Sequence, residues 1–280
     1  MLNNIGFMCS QAGVFFDLVS VQPREALRMH QVALDSLMAQ YGQDHLSVAR
    51  CYGNLGNVYQ AQGECDQALV QHQKSLEINI CVLGCEHQEV ATSYNNIGNV
   101  YTVQGDYDNA LLQHQKSLEI RIRVFGCDSA EVAIAYNNIG NVYNSQDDYE
   151  NALLQHQNSL EIKLRVYGQK HLLVAESYNN RDLNIGIVYG MQGKGKEAIN
   201  QYKKSLKIKI QMYGQDHPLV AISKYNMGLV YEEHTEMDMA RKLFLECQRI
   251  YFKVHGPGHS MTVDATNAAQ RASWFAEESV

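Results

Sequence analysis

The chain has 280 residues, 45% apolar and 19% charged, which is the composition of a folded protein and not of a disordered one. Its 23 basic residues are outnumbered by 30 acidic ones, so the net charge of −7 provides no general attraction to nucleic acid or anionic lipid. No apolar run approaches the roughly 18 residues of a membrane span, and the seven cysteines are odd in number and scattered, which argues against a disulfide framework.

The N-terminus carries no basic residue before Arg24, and Asp17 interrupts the Val14–Val19 apolar stretch, so a cytoplasmic chain without a leader is expected. Asn3-Asn4-Ile5-Gly6 reads as a truncated helix, with about eight extra residues before Ala26, so 1–42 is expected to be a degenerate first unit, either of an excised piece or of a stand-alone relative. Beyond it a nine-residue element recurs: Cys51-Tyr52-Gly53-Asn54-Leu55-Gly56-Asn57-Val58-Tyr59, then Ser93 to Tyr101, then Ala135 to Tyr143. It returns as Asn184-Ile185-Gly186-Ile187-Val188-Tyr189 and as Asn226-Met227-Gly228-Leu229-Val230-Tyr231. A second element keeps step, opening at Ala26, Ala68, Ala110, Ala152, Ala198 and Ala240 and closing at Gly42, Gly84, Gly126, Gly168, Gly214 and Gly256, with intervals of 42, 42, 42, 46 and 42.

Within one unit Ala91, Tyr94, Ile97, Gly98 and Tyr101 fall at three- and four-residue spacing, as do Leu111, Leu118, Ile122 and Phe125, so each unit is a pair of helices. Helix A has about sixteen residues and helix B about nineteen. Gly105 and Gly126 end them in left-handed conformation, and Asp106 N-caps the second. Gly98 and Ala110 on facing helices let the backbones approach so that Tyr and Leu side chains interlock around them. No pair can bury its faces alone, so the units 43–84, 85–126, 127–168, 169–214 and 215–256, with a capping helix in 257–280 spanning about 259–278, are expected to stack as one domain over 1–280.

Tyr94, Ile97, Gly98, Tyr101 and Ala110 stand at signature positions, and the pattern resembles the tetratricopeptide repeat. The forty-two-residue length and the Gly-x-x-His element (Gly42 with His45, Gly84 with His87, Gly168 with His171, Gly214 with His217, Gly256 with His259) are similar to the repeats of kinesin light chains. Ser129 departs from that pattern, and His72, His114 and His156 stand where the family has an aromatic. The resemblance implies an all-α fold, a right-handed superhelical solenoid of antiparallel helix pairs, whose A helices line a concave groove that takes cargo or adaptor peptides. The family's N-terminal heptad region is missing from this chain, so binding to a kinesin motor is not expected.

The clearest ladder on helix A is asparagine: Asn54, Asn96, Asn138, Asn184 and Asn226 in one register, Asn57, Asn99 and Asn141 in the next position, with Asn95 and Asn137 alongside. An amide both donates and accepts, so a row of them can pair with the main chain of an extended peptide. The same amides can instead bond between adjacent helices and hold the stack in register. By resemblance, Asn96, Asn99, Asn138 and Asn141 are the foremost peptide contacts.

Other constellations read as structure. His30, His72, His114 and His156 form a ladder on helix B, but packed helices lie about 8–10 Å apart, too far to share an ion, and the series continues as Tyr202 and Phe244. Cys81, Cys85 and His87 lack a fourth zinc ligand, and Gln43, Gln169 and Gln215 hold the Cys85 position elsewhere. Gly190-Met191-Gln192-Gly193-Lys194-Gly195-Lys196 approaches a phosphate loop, but Glu197 stands where Ser or Thr is required and no strand precedes it. Lys203, Lys204 and Lys207 form a basic outer face open to docking of an acidic partner. Glu119 with Arg123 and Glu161 with Arg165 are spaced for helix-surface pairs. The 46-residue interval reflects four extra residues around Arg181-Asp182-Leu183, about one helical turn, read as a neutral insertion or a local bulge.

These features point to a non-enzymatic scaffold for protein or peptide partners, with no catalytic residue, no metal and no cofactor expected, and no nucleic-acid or membrane partner. Two alternatives stay open: a sensor or regulatory portion of a larger signalling ATPase, and a self-assembling structural array.

Overall fold

A computed structural model describes residues 23–169 and 171–278; the Asn3-Asn4-Ile5-Gly6 element lies outside them. Among the described residues there is no strand and there are twelve α-helices. They are α1 (Pro23–Tyr41), α2 (Leu46–Ala61), α3 (Cys65–Leu83), α4 (Gln88–Gln104), α5 (Tyr107–Phe125), α6 (Ala130–Ser145), α7 (Tyr149–Tyr167), α8 (Leu172–Met191), α9 (Gly195–Tyr213), α10 (Pro218–Glu233), α11 (Met237–His255) and α12 (Ser260–Glu278). Even-numbered helices are the A members and odd-numbered ones the B members of the repeated pair. The A helices α2, α6 and α10 have 16 residues, and the B helices from α3 to α11 have 19. The chain forms two compact units, Met1–Cys127 and Asp128–Val280, whose boundary falls at a repeat boundary.

Local chemistry sets the helix ends. His45, His87, His171 and His217 are N-caps: each Nδ1 accepts from the N–H two residues ahead, at 3.1 to 3.2 Å. The Gly-x-x-His element is thus a capping device, which satisfies one of the orphan donors of each A helix. Where the histidine is absent, Ser129 Oγ accepts from the Val132 N–H at 3.3 Å and does the same work. Three of the caps also stack on the tyrosine that ends the preceding B helix, with ring centroids 4.5, 4.3 and 4.4 Å apart for Tyr41–His45, Tyr167–His171 and Tyr213–His217. Asp106 caps α5 as expected, accepting from the Asn109 N–H at 3.2 Å. Gly105 is left-handed at φ 78°, ψ 9°, but Gly126 is not: at φ 79°, ψ 167° it occupies a region open essentially to glycine alone.

The space immediately beside Gly98 is taken by a ring that the sequence reading did not place there. A Cβ on Gly98 would lie 2.9 Å from the His114 ring, so the helix-A glycine makes room for a B-helix ring, while Tyr94 and Tyr101 pack with Leu69 and Leu76 in the surrounding core. The same slot holds His72 on Gly56, His156 on Gly140, Tyr202 on Gly186 and Phe244 on Gly228, and all five rings are 0 or 1% exposed. One turn further, Ser117 Oγ donates to Ala91 O and Ser159 Oγ to Ala133 O, each at 2.7 Å, pinning B to A within the pair. Around these points lie the cores, with Leu76, Val90, Ala91, Ile97 and Ile120 in the first unit and Met227, Val230, Ala240, Phe244 and Ala268 in the second.

The insertion lengthens α8 to 20 residues without interrupting it. Four residues advance a helix by about 400°, one turn plus about 40°, and that turn buries polar groups. Arg181, Asp182 and Asn184 are 9, 1 and 0% exposed. The Asp182 carboxylate accepts from Ser205 Oγ, from Lys209 Nζ at 3.1 Å and from Arg181 at 3.2 Å, while its main-chain oxygen accepts from the Tyr202 hydroxyl at 2.7 Å. The inserted turn changes the local pairing: Ser205 bonds a side-chain carboxylate where Ser117 and Ser159 bond a main-chain carbonyl.

Candidate functional site

In the first unit the helices α2 and α4 stand apart over α3 and leave a cleft of ≈ 380 Å³. Asn54 and Asn57 face it from α2, Asn96 from α4, and Arg50, His87 and Glu89 stand around it. Its floor is polar and closed upon itself: Asn79 Nδ2 donates to Ser93 Oγ at 3.0 Å, and Ser93 Oγ donates to Glu89 O at 3.0 Å. Asn79 and Ser93 are buried, at 6 and 4% exposure. By contrast Asn54, Asn57 and Asn96 are half-buried and make no hydrogen bond to another group among the described residues. Such amides present both donors and an acceptor to whatever enters the cleft.

The other predicted asparagines divide. Asn137 is already paired with the neighbouring A helix, its Oδ1 accepting from Asn180 Nδ2 at 2.9 Å. Asn184 must be withdrawn from the groove set: it is 0% exposed, with its Nδ2 on Asn180 O at 3.3 Å. Asn95 and Asn138 are half-buried on α4 and α6, outside the cleft of the first unit, and each has an interaction of its own. Asn99 is half-buried and Asn141 exposed, and neither is among the residues lining the α2–α4 cleft. Asn226 lines a second, smaller cleft of ≈ 200 Å³ between α8 and α10, together with Ile187, Leu229 and Glu233 over Tyr202.

Sequence reasoning missed a cationic register on the B helices. Lys163 and Lys209, 7 and 0% exposed, donate to Ser177 at 2.8 Å and Ser223 at 2.6 Å on the following A helix. Burial holds both ammonium pKa values down, opposed at Lys209 by the Asp182 carboxylate. The signal was present: Asn79, Arg121, Lys163 and Lys209 follow the repeat interval, as do Ser75, Ser117, Ser159 and Ser205. Lys203, Lys204 and Lys207 are exposed on α9, whose buried face carries Tyr202, Ser205 and Lys209. Of the helix-surface pairs, Arg123 meets Glu119 at 3.7 Å and Glu86 at 2.7 Å, whereas Arg165 turns to Asp128 at 2.8 Å.

The remaining constellations are structural in detail. Cys81 and Cys85 are exposed while His87 is occupied as a cap, and among the described residues no three His, Cys, Asp or Glu side chains converge on a common point. The phosphate-loop-like stretch is a helix–helix turn in which Lys194 N–H donates to Tyr189 O at 2.8 Å, and Gly195 leaves room for His234 packed against it. His72, His114 and His156 are core rings whose burial lowers their pKa values to about 4, helped at His114 by Arg121 and at His156 by Lys163.

Helix pairs of fixed length, repeated at one interval and joined by histidine caps and glycine turns, define an all-α hairpin-repeat protein with clefts between successive A helices. The chain belongs to the tetratricopeptide repeat family, whose model matches residues 22–80, 89–165, 131–181 and 182–267. A search of curated proteins finds no match. Among solved structures, BtubC (BKLC) from P. vanneervenii is 19% identical with a TM-score of 0.68, covering 84% of this chain and 93% of that one. The nearly identical TPR-like repeats of a Podosopora anserina protein named for kinesin light chain are 16% identical with a TM-score of 0.64, covering 75% and 98%. YrrB, described as a TPR protein with an unusual peptide-binding site, is 20% identical with a TM-score of 0.52, covering 84% and 98%. At these identities the likeness is one of fold, the fold of a protein-interaction scaffold that is generally non-enzymatic. No described helix is long and apolar enough to cross a membrane.

Proposed function

We propose that this protein is a cytoplasmic, non-enzymatic adaptor that binds an extended peptide or partner segment along its A helices, with the α2–α4 cleft as the principal contact. The observation that carries the reading is the set Asn54, Asn57 and Asn96: half-buried amides with no partner of their own, on the walls of a cleft whose floor is already satisfied. Asparagine is a mediocre helix residue, costing up to about 0.7 kcal/mol against alanine, so three uncommitted ones on one cleft support a ligand role. The peptide-binding description of YrrB and the kinesin light chain name of the Podosopora repeats support the same class of activity, cargo or adaptor recognition. Asn99 would extend the contact within the first unit, Asn138, Asn141 and Asn226 are candidate contacts of the second, and Lys203, Lys204 and Lys207 remain a separate docking face for an acidic partner.

The test is selection from a random peptide display library on the folded chain beside an Asn54→Ala, Asn57→Ala, Asn96→Ala variant. Peptides enriched on the former and lost on the latter support the reading. Equal enrichment on both overturns it.

A further inference from the structure

We propose that the α8–α10 cleft takes one apolar side chain of a bound peptide, with a lysine or arginine next to it, and so gives the second unit side-chain selectivity where the first offers main-chain pairing. The proposal rests on the peptide-binding reading above. In the register of helix A that holds Asn57, Asn99 and Asn141, the next two units hold Ile187 and Leu229. The amide ladder therefore ends and an apolar wall begins, and that wall faces a cavity of ≈ 200 Å³. Leu229 is left 39% exposed on it, so covering it removes apolar surface from water.

The floor is apolar in effect although a tyrosine forms it. The Tyr202 hydroxyl is already bonded to Asp182 O at 2.7 Å and sits against Gly186, where any Cβ would collide with it. What the cavity offers is mainly the ring, together with Val230 and the two wall side chains, with the Asn226 amide and the Glu233 carboxylate as its polar lining groups, so most of the surface a ligand side chain meets there is apolar. With roughly 30 Å³ per water, the cavity has the room of about seven waters, which suits a leucine, methionine or phenylalanine side chain.

The charge of the neighbouring ligand residue follows from the rim. Glu233 reaches across the mouth towards α8, where its Oε2 would lie 3.2 Å from a Cβ on Gly190. It makes no ion pair among the described residues, whereas the adjacent Glu232 is held by Arg271 at 2.6 and 2.8 Å. An uncompensated carboxylate beside an apolar cavity complements a cation placed next to the apolar side chain and repels an acidic one.

The test uses the full chain with methyl-labelled Ile, Leu and Val, titrated with acetyl-Leu-Lys-amide, acetyl-Leu-Glu-amide and acetyl-Ser-Lys-amide. The first should shift the methyls of Ile187, Leu229 and Val230. The second should bind roughly two- to five-fold more weakly, the range expected for one exposed charge pair. The third should leave those methyls unmoved. Glu233→Lys should invert the order of the first two, and Leu229→Asn should abolish the shifts while the helical spectrum is kept. Equal binding of the first two probes, no shift, or shifts confined to other methyls would overturn the proposal. The Asn54→Ala, Asn57→Ala, Asn96→Ala chain should respond to these dipeptides as the parent does, which separates failure of this inference from failure of the α2–α4 reading.

Discussion

The first unit keeps imidazoles against its glycines, His72 and His114, and amides along its cleft, whereas the second passes from His156 to Tyr202 and Phe244 and from Asn141 to Ile187 and Leu229. In both, a helix-A glycine faces a side chain of helix B, a ring at Gly56, Gly98, Gly140 and Gly228 and the Tyr202 hydroxyl at Gly186. What differs is the chemistry the repeat carries, and with it the way each unit responds to acid, to core substitution and to a ligand. The second unit also contains a buried carboxylate, Asp182, neutralised by Lys209 and Arg181, which the first has no counterpart for at the Ser117 position, where a carbonyl suffices.

Acid should expose the difference most strongly. Burial holds His72, His114 and His156 neutral with pKa values of about 4, while the unfolded chain takes up protons near 6.5. Their contribution is therefore complete above about pH 6.5 and is lost as pH falls towards 4, by at most about 3 kcal/mol per ring. With two such rings, and His30 lowered by burial as well, the first unit should lose hydrogen-exchange protection in α3 and α5 before the second loses it in α9 and α11. His72→Phe with His114→Phe, which copies the Phe244 arrangement, should remove that order; protection lost equally in both units of the parent chain would contradict the account.

The next largest effect belongs to the second unit. Asp182→Ala strands Lys209, at 0% exposure, and should cost that unit about 3–5 kcal/mol in urea unfolding, with the first unit unchanged. Asp182→Asn, which can still bond Ser205, should cost less. In the first unit, Gly98→Ala drives a methyl into the His114 ring and should cost about 1–3 kcal/mol, with part of the loss recovered when His114→Ala is added. An additive double mutant would mean the ring is not the obstacle.

The smallest effects distinguish two kinds of asparagine. Asn137→Ala leaves the Asn180 amide without its acceptor and should lower stability by about 1 kcal/mol. Asn54→Ala, Asn57→Ala and Asn96→Ala should leave the melting temperature unchanged or raise it, since alanine is the better helix former by up to about 0.7 kcal/mol per site. A clear drop in melting temperature in the second set would place those amides among the structural ones.

Much of the architecture was legible one residue at a time. Gly105, Asp106, Ala110 and Gly126 mark turns, a cap and a close approach through properties of their own backbone and side chains, and the 3.6-residue period of Tyr94, Ile97 and Tyr101 shows a buried face. Helix lengths and the capping helix at Ser260–Glu278 followed from those local signals. Periodicity shows that side chains share a face, but not what stands opposite, so it could not separate Asn96 on an open cleft from Asn137 bonded to Asn180 or from the buried Asn184. Nor could it join Asp182 to Lys209, 27 residues on, or show that Glu233 reaches over Gly190. The sequence by itself determined the helices, their ends and their repetition, because those depend on contacts within a few residues. Only the tertiary structure decided which polar side chains are already paired and which face a cleft, because a cleft is made by three helices and each amide's fate depends on the partner that packing brings to it.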